Sequence, residues 1–115
     1  MIALAAAAHP DDIEFMMAGT LLRLKDAGCE IHLWNLANGS CGSNILARNE
    51  VAAVRGKEAR ASAQFAGGTA HPPLFQDFGV FYDASSVAKV AAVIRRIQPD
   101  IILTQSPRDY MEDHQ

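Results

Sequence analysis

Residues 2–8 read IALAAAA, and the next four are His9, Pro10, Asp11 and Asp12. A short apolar run without alternation, stopped by a proline and charged residues, is the pattern of a strand buried on both faces. Strands of that kind belong to parallel sheets whose two faces are covered by helices. The polar cluster then falls at the strand's carboxyl end, the place where open α/β sheets bind ligands. This one stretch constrains both the fold class and the position of a site.

Four groups able to hold a metal or move a proton, His9, Asp11, Asp12 and Glu14, fall within six residues. A histidine and an aspartate three positions apart, across a strand-to-helix turn, can face one ion. Imidazole together with carboxylate suits Zn²⁺ or a similar divalent metal. Asp11 is then left free to handle a proton. The plainer alternative is capping, in which Asp11 or Asp12 caps the next helix and Glu14 complements its dipole. Capping needs one aspartate and makes no demand for His-Pro, so the functional reading is the stronger.

The rest of the chain alternates helix and strand patterns. Ile13, Met17, Leu21 and Leu24 recur at helical spacing and predict a helix over 13–27, stopped by Gly28. The Phe15-Met16-Met17 cluster inside it is expected to pack in the core. Residues 30–37 (EIHLWNLA) predict a second strand, with His32 a structural residue within it. The glycine-rich loop 38–43 can bring backbone and Ser40 close to a substrate, but it lacks the Lys-Ser/Thr ending of a P-loop. Residues 45–66 predict a helix, firmest over 50–65, with Val51, Val54, Ala61 and Phe65 toward the sheet. Arg55 and Glu58 stand one turn apart, at pairing distance. His71-Pro72-Pro73 predicts a turn and 74–78 a short third strand. Val87, Val90, Ala91, Ile94 and Ile97 predict a third helix, capped by Ser85 or Ser86. Residues 100–105 (DIILTQ) predict a fourth strand, and a second polar cluster follows at 106–115.

The order βαβαβαβ with long crossovers implies parallel strands joined by right-handed connections. The expected fold is α/β, a Rossmann-like parallel sheet in the order 3-2-1-4 flanked by helices. In that order strands 1 and 4 are neighbours and the chain switches direction between them. His9, Asp12 and His114 then meet in the crevice at the switch point. The sequence stops inside the loop after strand 4 with no helix to cover it. The expectation is therefore an incomplete domain, or one completed by another subunit in a homo-oligomer.

Composition removes several classes. The 115 residues suffice for one domain with a real core. A net charge of −3 and the lack of a basic stripe argue against nucleic acid as a partner. No apolar run reaches membrane length, and the alanine-rich start lacks a signal peptide's charged n-region, so the expected location is cytoplasmic. Cys29 and Cys41 form no CxxC pair and read as free thiols. A GxGxxG turn is missing after the first strand, which speaks against a dinucleotide site. Gln105 stands where a phosphate-accepting receiver domain needs an aspartate.

A resemblance spans nearly the whole chain. The segments AHPDDIE (8–14), AGTLLRLKDAG (18–28), NLANGS (35–40), RGKEARASAQFAG (55–67) and QPDIILTQSPRDYMEDH (98–114) follow in the order and spacing of the LmbE-like, or PIG-L, family of zinc-dependent N-deacetylases, which the chain resembles. The resemblance implies metal ligands at His9, Asp12 and His114, with Asp11 as general base. It implies a sugar contact at Arg55 with Glu58 as its helical neighbour, and a supporting role for Asp113. The implied reaction is hydrolysis of an N-acetyl or other N-acyl group, most simply on an amino sugar such as an N-acetylglucosamine conjugate. The alternatives are an amidase on a non-sugar substrate and a non-catalytic metal- or sugar-binding remnant. One departure stands out: Met111 occupies the position where the family commonly has a histidine that steadies the oxyanion or moves a proton. A thioether is only a weak acceptor, so another group takes that part, the chemistry is slower, or the substrate differs.

Overall fold

A computed structural model describes residues 1–115. The chain builds β1 (Ile2–Ala7), α1 (Asp12–Met16), α2 (Ala18–Asp26), β2 (Glu30–Asn35), α3 (Arg48–Phe65), β3 (Thr69–His71), α4 (Ala84–Ile97) and β4 (Ile101–Thr104), then a 3₁₀ turn over Glu112–His114. The strands form one parallel sheet in the order β3-β2-β1-β4. No helix is long and apolar enough to cross a membrane.

β1 is central because its side chains let helices approach on both faces. Ala3, Leu4 and Ala5 are wholly buried. Ala3, Ala5 and Ala7 pack with Ile13, Met17 and Leu21 on one face, and Ala63 of α3 joins them. Leu4 and Ala6 pack on the other face with Trp34, and Val93 and Ile97 of α4 cover them. Ala5 stands in register with Leu33 on one side and Leu103 on the other. With all strands parallel, the segments after β1, β2 and β4 emerge along one edge of the sheet.

Several local expectations are corrected. The first helix is broken at Met17 (φ −125°, ψ −14°) into α1 and α2. Hydrogen bonds run to and from Met17 across the break, so the helix bends there without ending. Only Met17 of its Phe-Met-Met cluster enters the core; Phe15 and Met16 are exposed. α3 starts at Arg48, where Glu50 caps the Ala47 N–H at 3.0 Å. It turns Val51 and Ala63 inward and leaves Val54, Ala61 and Phe65 exposed.

The third strand is Thr69–His71. The expected stretch 74–78 contributes a single bridge, Phe75 to Ala37. Pro72 and Pro73 have no N–H to donate, so the ladder that begins straight after Gly68 stops at His71. Gly68 permits that early entry, because a Cβ there would lie 2.7 Å from the Ile31 carbonyl oxygen. α4 is capped by Asp83, which accepts the Ser86 N–H at 2.8 Å. Its Val87 is exposed, while Val93 and Ile97 are the buried contacts. His32 is buried inside β2 with Nδ1 2.8 Å from His71 Nε2.

Candidate metal centre and active site

Three loops meet at the carboxyl edge of the sheet. The Ala8 N–H donates to Gln105 Oε1 at 2.8 Å, tying the end of β1 to the end of β4. The His9 N–H donates to Asp12 Oδ2 at 2.8 Å, which folds the turn back on itself. Between these two bonds Asp11 takes a left-handed backbone (φ 108°) and carries its half-exposed carboxylate to the rim. The chain then returns through the 3₁₀ turn, which brings His114 over Asp12.

The ligand atoms of His9, Asp12 and His114 lie within 4.8 Å of one another. Asp12 Oδ2 is 3.6 Å from His9 Nδ1 and 3.4 Å from His114 Nε2. Both ring nitrogens of His114 are buried: Nδ1 lies 3.2 Å from Asp109 Oδ2, an ion-pair contact, and Nε2 has no hydrogen-bond partner. Two imidazoles and one carboxylate, with a buried nitrogen left over and facing the carboxylate, fit a zinc-like divalent ion. Asp113 stands behind His9, its Oδ2 2.8 Å from Nε2. A carboxylate on the outer nitrogen of a ligating histidine fixes the ring and leaves the other nitrogen for the ion.

The electrostatics follow from this packing. Asp12 and Asp113, helped by the charge of Asp77, outweigh burial and push His9 up from 6.5 to about 9. Burial works to raise the Asp12 pKa, but the bonds from the His9 side chain and backbone and the charge of His114 hold it below the ordinary carboxylate value. In the metal-free protein His9 therefore carries a proton at neutral pH, and ligation must displace it.

Arg55 reaches across from α3. It donates to Asp11 Oδ2 at 2.7 Å, to the Pro10 carbonyl, and to Glu58 Oε2 at 2.8 Å. It thus grips the strained turn that presents Asp11. Gly39 (φ 75°) leaves room for this, since a Cβ there would lie 3.1 Å from Arg55 Cγ and 3.3 Å from Pro10 Cδ. The resulting cleft, of about 450 Å³, is bordered by His9, Asp11, Asp12, Arg55, Met111 and His114 among others. Ser40 lies outside it. That residue is 2% exposed and its hydroxyl is shut away without a partner. Gly39, Cys41 and Gly42 face the cleft in its place.

Two residues escaped the sequence reading. Asp77 accepts the N–H groups of Gly39 (2.7 Å) and Cys41 (2.8 Å), and so holds the glycine loop against the cleft. It was hidden inside the segment expected to be a strand. Its neighbour Phe78, at φ 59°, donates its N–H to Asp113 Oδ2 at 2.7 Å. Asp109 lies 3.2 Å from His114 Nδ1. Its only sequence signal is a carboxylate five positions before a histidine, which is too common to be informative.

Sheet and site together define a class: an open parallel α/β domain with a His-Asp-His cluster at the switch point. The family follows from comparison. The PIG-L family model, described as GlcNAc-PI de-N-acetylase, matches residues 4–115, and the chain belongs to that family. It is 30% identical over 109 residues to the diacetylchitobiose deacetylase of Thermococcus kodakarensis, covering 92% of this chain and 41% of that protein. It is 27% identical over 120 residues to the 4-oxalmesaconate hydratase of Pseudomonas putida, covering 97% and 46%. The structure of N,N'-diacetylchitobiose deacetylase from Pyrococcus horikoshii superposes with a TM-score of 0.89 at 28% identity, over 98% of this chain and 45% of that one. The chain thus spans less than half the length of each of these three relatives.

Proposed function

We propose that this site hydrolyses an N-acyl group with the help of a divalent metal ion, zinc by preference, and that the group is an acetyl on an amino sugar or its conjugate. The observation that carries the reading is the convergence of the ligand atoms of His9, Asp12 and His114 within 4.8 Å, one residue from the half-exposed carboxylate that Asp11 holds against Arg55. His9, Asp12 and His114 would hold the divalent ion, which when bound would supply an activated water near neutral pH and polarisation of an acyl carbonyl. Asp11 takes the proton of the attacking water and returns it to the departing nitrogen, giving a carboxylic acid and an amine. Arg55 and Glu58 keep the Asp11 carboxylate on station, and the outer edge of the Arg55 guanidinium meets the substrate's hydroxyls. Backbone from the 39–42 loop supports the substrate where the Ser40 side chain does not reach. Two relatives that act, by name, on diacetylchitobiose support an acetylated amino sugar as the substrate class.

A second reading has its own support. Met111 lines the cleft with a side chain unable to move a proton. A relative matching 97% of this chain is a hydratase by name. In that reading Asp11 takes a proton from water as its oxygen bonds to one carbon of a carbon–carbon double bond and returns that proton to the other carbon, and no amine leaving group has to be protonated.

The test begins with elemental analysis of protein purified without chelator, beside a His9→Ala variant. About one equivalent of zinc, lost in the variant, is the expected result for a three-ligand site. Acetate release is then followed on N-acetylglucosamine conjugates and simple acyl amines, and loss of ultraviolet absorbance on unsaturated acids. Asp11→Asn should keep the metal and lose at least ~100-fold in turnover. Full turnover in that variant with metal bound would remove Asp11 as the base. Absorbance loss without acetate release would decide for the hydratase, and no metal in either protein would sink the metal reading.

A further inference from the structure

We propose that Asp109 is a positioning residue, which sets the tautomer of His114 and aims its Nε2 into the metal site. The inference rests on the metal reading above. His9 and His114 each have a carboxylate on the nitrogen that faces away from Asp12. For His9 it is Asp113, 2.8 Å from Nε2. For His114 it is Asp109, 3.2 Å from Nδ1. The 3₁₀ turn produces this pairing by carrying His114 back over Asp109. The rest of Asp109 is committed to the same turn: Oδ1 accepts the Met111 N–H at 3.0 Å, and the main-chain carbonyl accepts Gln115 Nε2 at 2.7 Å.

A neutral imidazole has one protonated nitrogen and one lone pair. An ionised carboxylate can only accept, so its place beside Nδ1 favours the Nδ1–H form. The lone pair is then left on Nε2, which faces Asp12 Oδ2 at 3.4 Å. This carboxylate-to-histidine arrangement fixes both ring orientation and ligand strength at metal centres.

The decisive variant is Asp109→Asn. Its amide oxygen keeps the Met111 N–H, so the turn survives. Its amide nitrogen then faces His114 Nδ1 and donates to it, which moves the ring proton to Nε2 and blocks the lone pair. A residue that merely held the turn would be replaced by asparagine without loss. The first readout is the ¹⁵N shifts of the His114 ring in metal-free protein at about pH 8, above the usual histidine range. The expected result is Nδ1–H in the wild type and Nε2–H in Asp109→Asn. The second readout is zinc affinity by chelator competition, expected to fall about 10–100-fold in both Asp109→Asn and Asp109→Ala. Circular dichroism and melting of Asp109→Asn should match the wild type. An unchanged tautomer, or normal affinity in Asp109→Asn with a loss confined to Asp109→Ala, would overturn the proposal. Failure of the wild type to take up zinc would overturn the metal reading instead, and the ring shifts of the metal-free protein would still decide the role of Asp109.

Discussion

Replacing Asp11 by glycine and by alanine gives opposite signs to the usual comparison of those two residues. At an ordinary position alanine is the more stable by roughly 0.4–1 kcal/mol, because glycine leaves the unfolded chain more freedom to lose. Asp11 sits at φ 108°, where any L side chain crowds the backbone. A residue with a Cβ costs about 1–2 kcal/mol in the left-handed region, and glycine does not. Both variants lose the same bond to Arg55 and the same carboxylate, so these losses cancel in the comparison. The balance favours glycine by about 1 kcal/mol once its entropy cost is subtracted from the strain. For a domain of this size that is a melting difference of about 5 °C. Urea unfolding and thermal melting of the two variants, metal-free and side by side, measure it directly. Both should be inactive, which separates the stored strain from the chemistry that Asp11 supplies. If alanine proved as stable as glycine or more so, the turn would not hold Asp11 in the left-handed region, and the account of how the carboxylate is presented would fail.

Two further outcomes follow from the core and the sheet edge. Leu4→Ala should cost about 3 kcal/mol, because Leu4 is wholly buried on the central strand, packed with Trp34 and with Val93 and Ile97 of α4; a loss under about 1 kcal/mol in urea unfolding would contradict that packing. His71 is held below the ordinary histidine value of 6.5 by burial first, then by the charges of His32 and Arg96. The unfolded chain then binds its proton more readily, so this contribution to stability is full above pH 6.5 and is lost as pH falls through the folded-state value. His71→Gln should flatten the acid limb of stability below that pH. His9, raised to about 9, acts in the opposite sense and in the higher window, so the two do not overlap. An unchanged acid limb in His71→Gln would show that the histidine pair carries no such penalty.

Much of the fold was legible because the signals that specify it are local. An apolar run closed by His-Pro-Asp-Asp marks a buried strand and its functional end wherever the helices lie. Strand order followed from the alternation of patterns and the handedness of crossovers, and with it came the meeting of His9 and Asp12 with His114 from the far end of the chain. What tertiary structure alone decided was which of several adequate local choices each segment took. The third strand formed at 69–71 because the ladder could begin only beside Gly68 and had to stop at two prolines. α3 turned Val51 and Ala63 inward and left Phe65 in solvent, since its small-residue face also lets it approach the sheet. The supporting shell was equally hidden. Asp77, Asp109 and the hold of Arg55 on Asp11 depend on loops brought together from different strands. Periodicity along a chain reports which faces are apolar, whereas a carboxylate's partner is set by the angles and lengths of the loops that carry it.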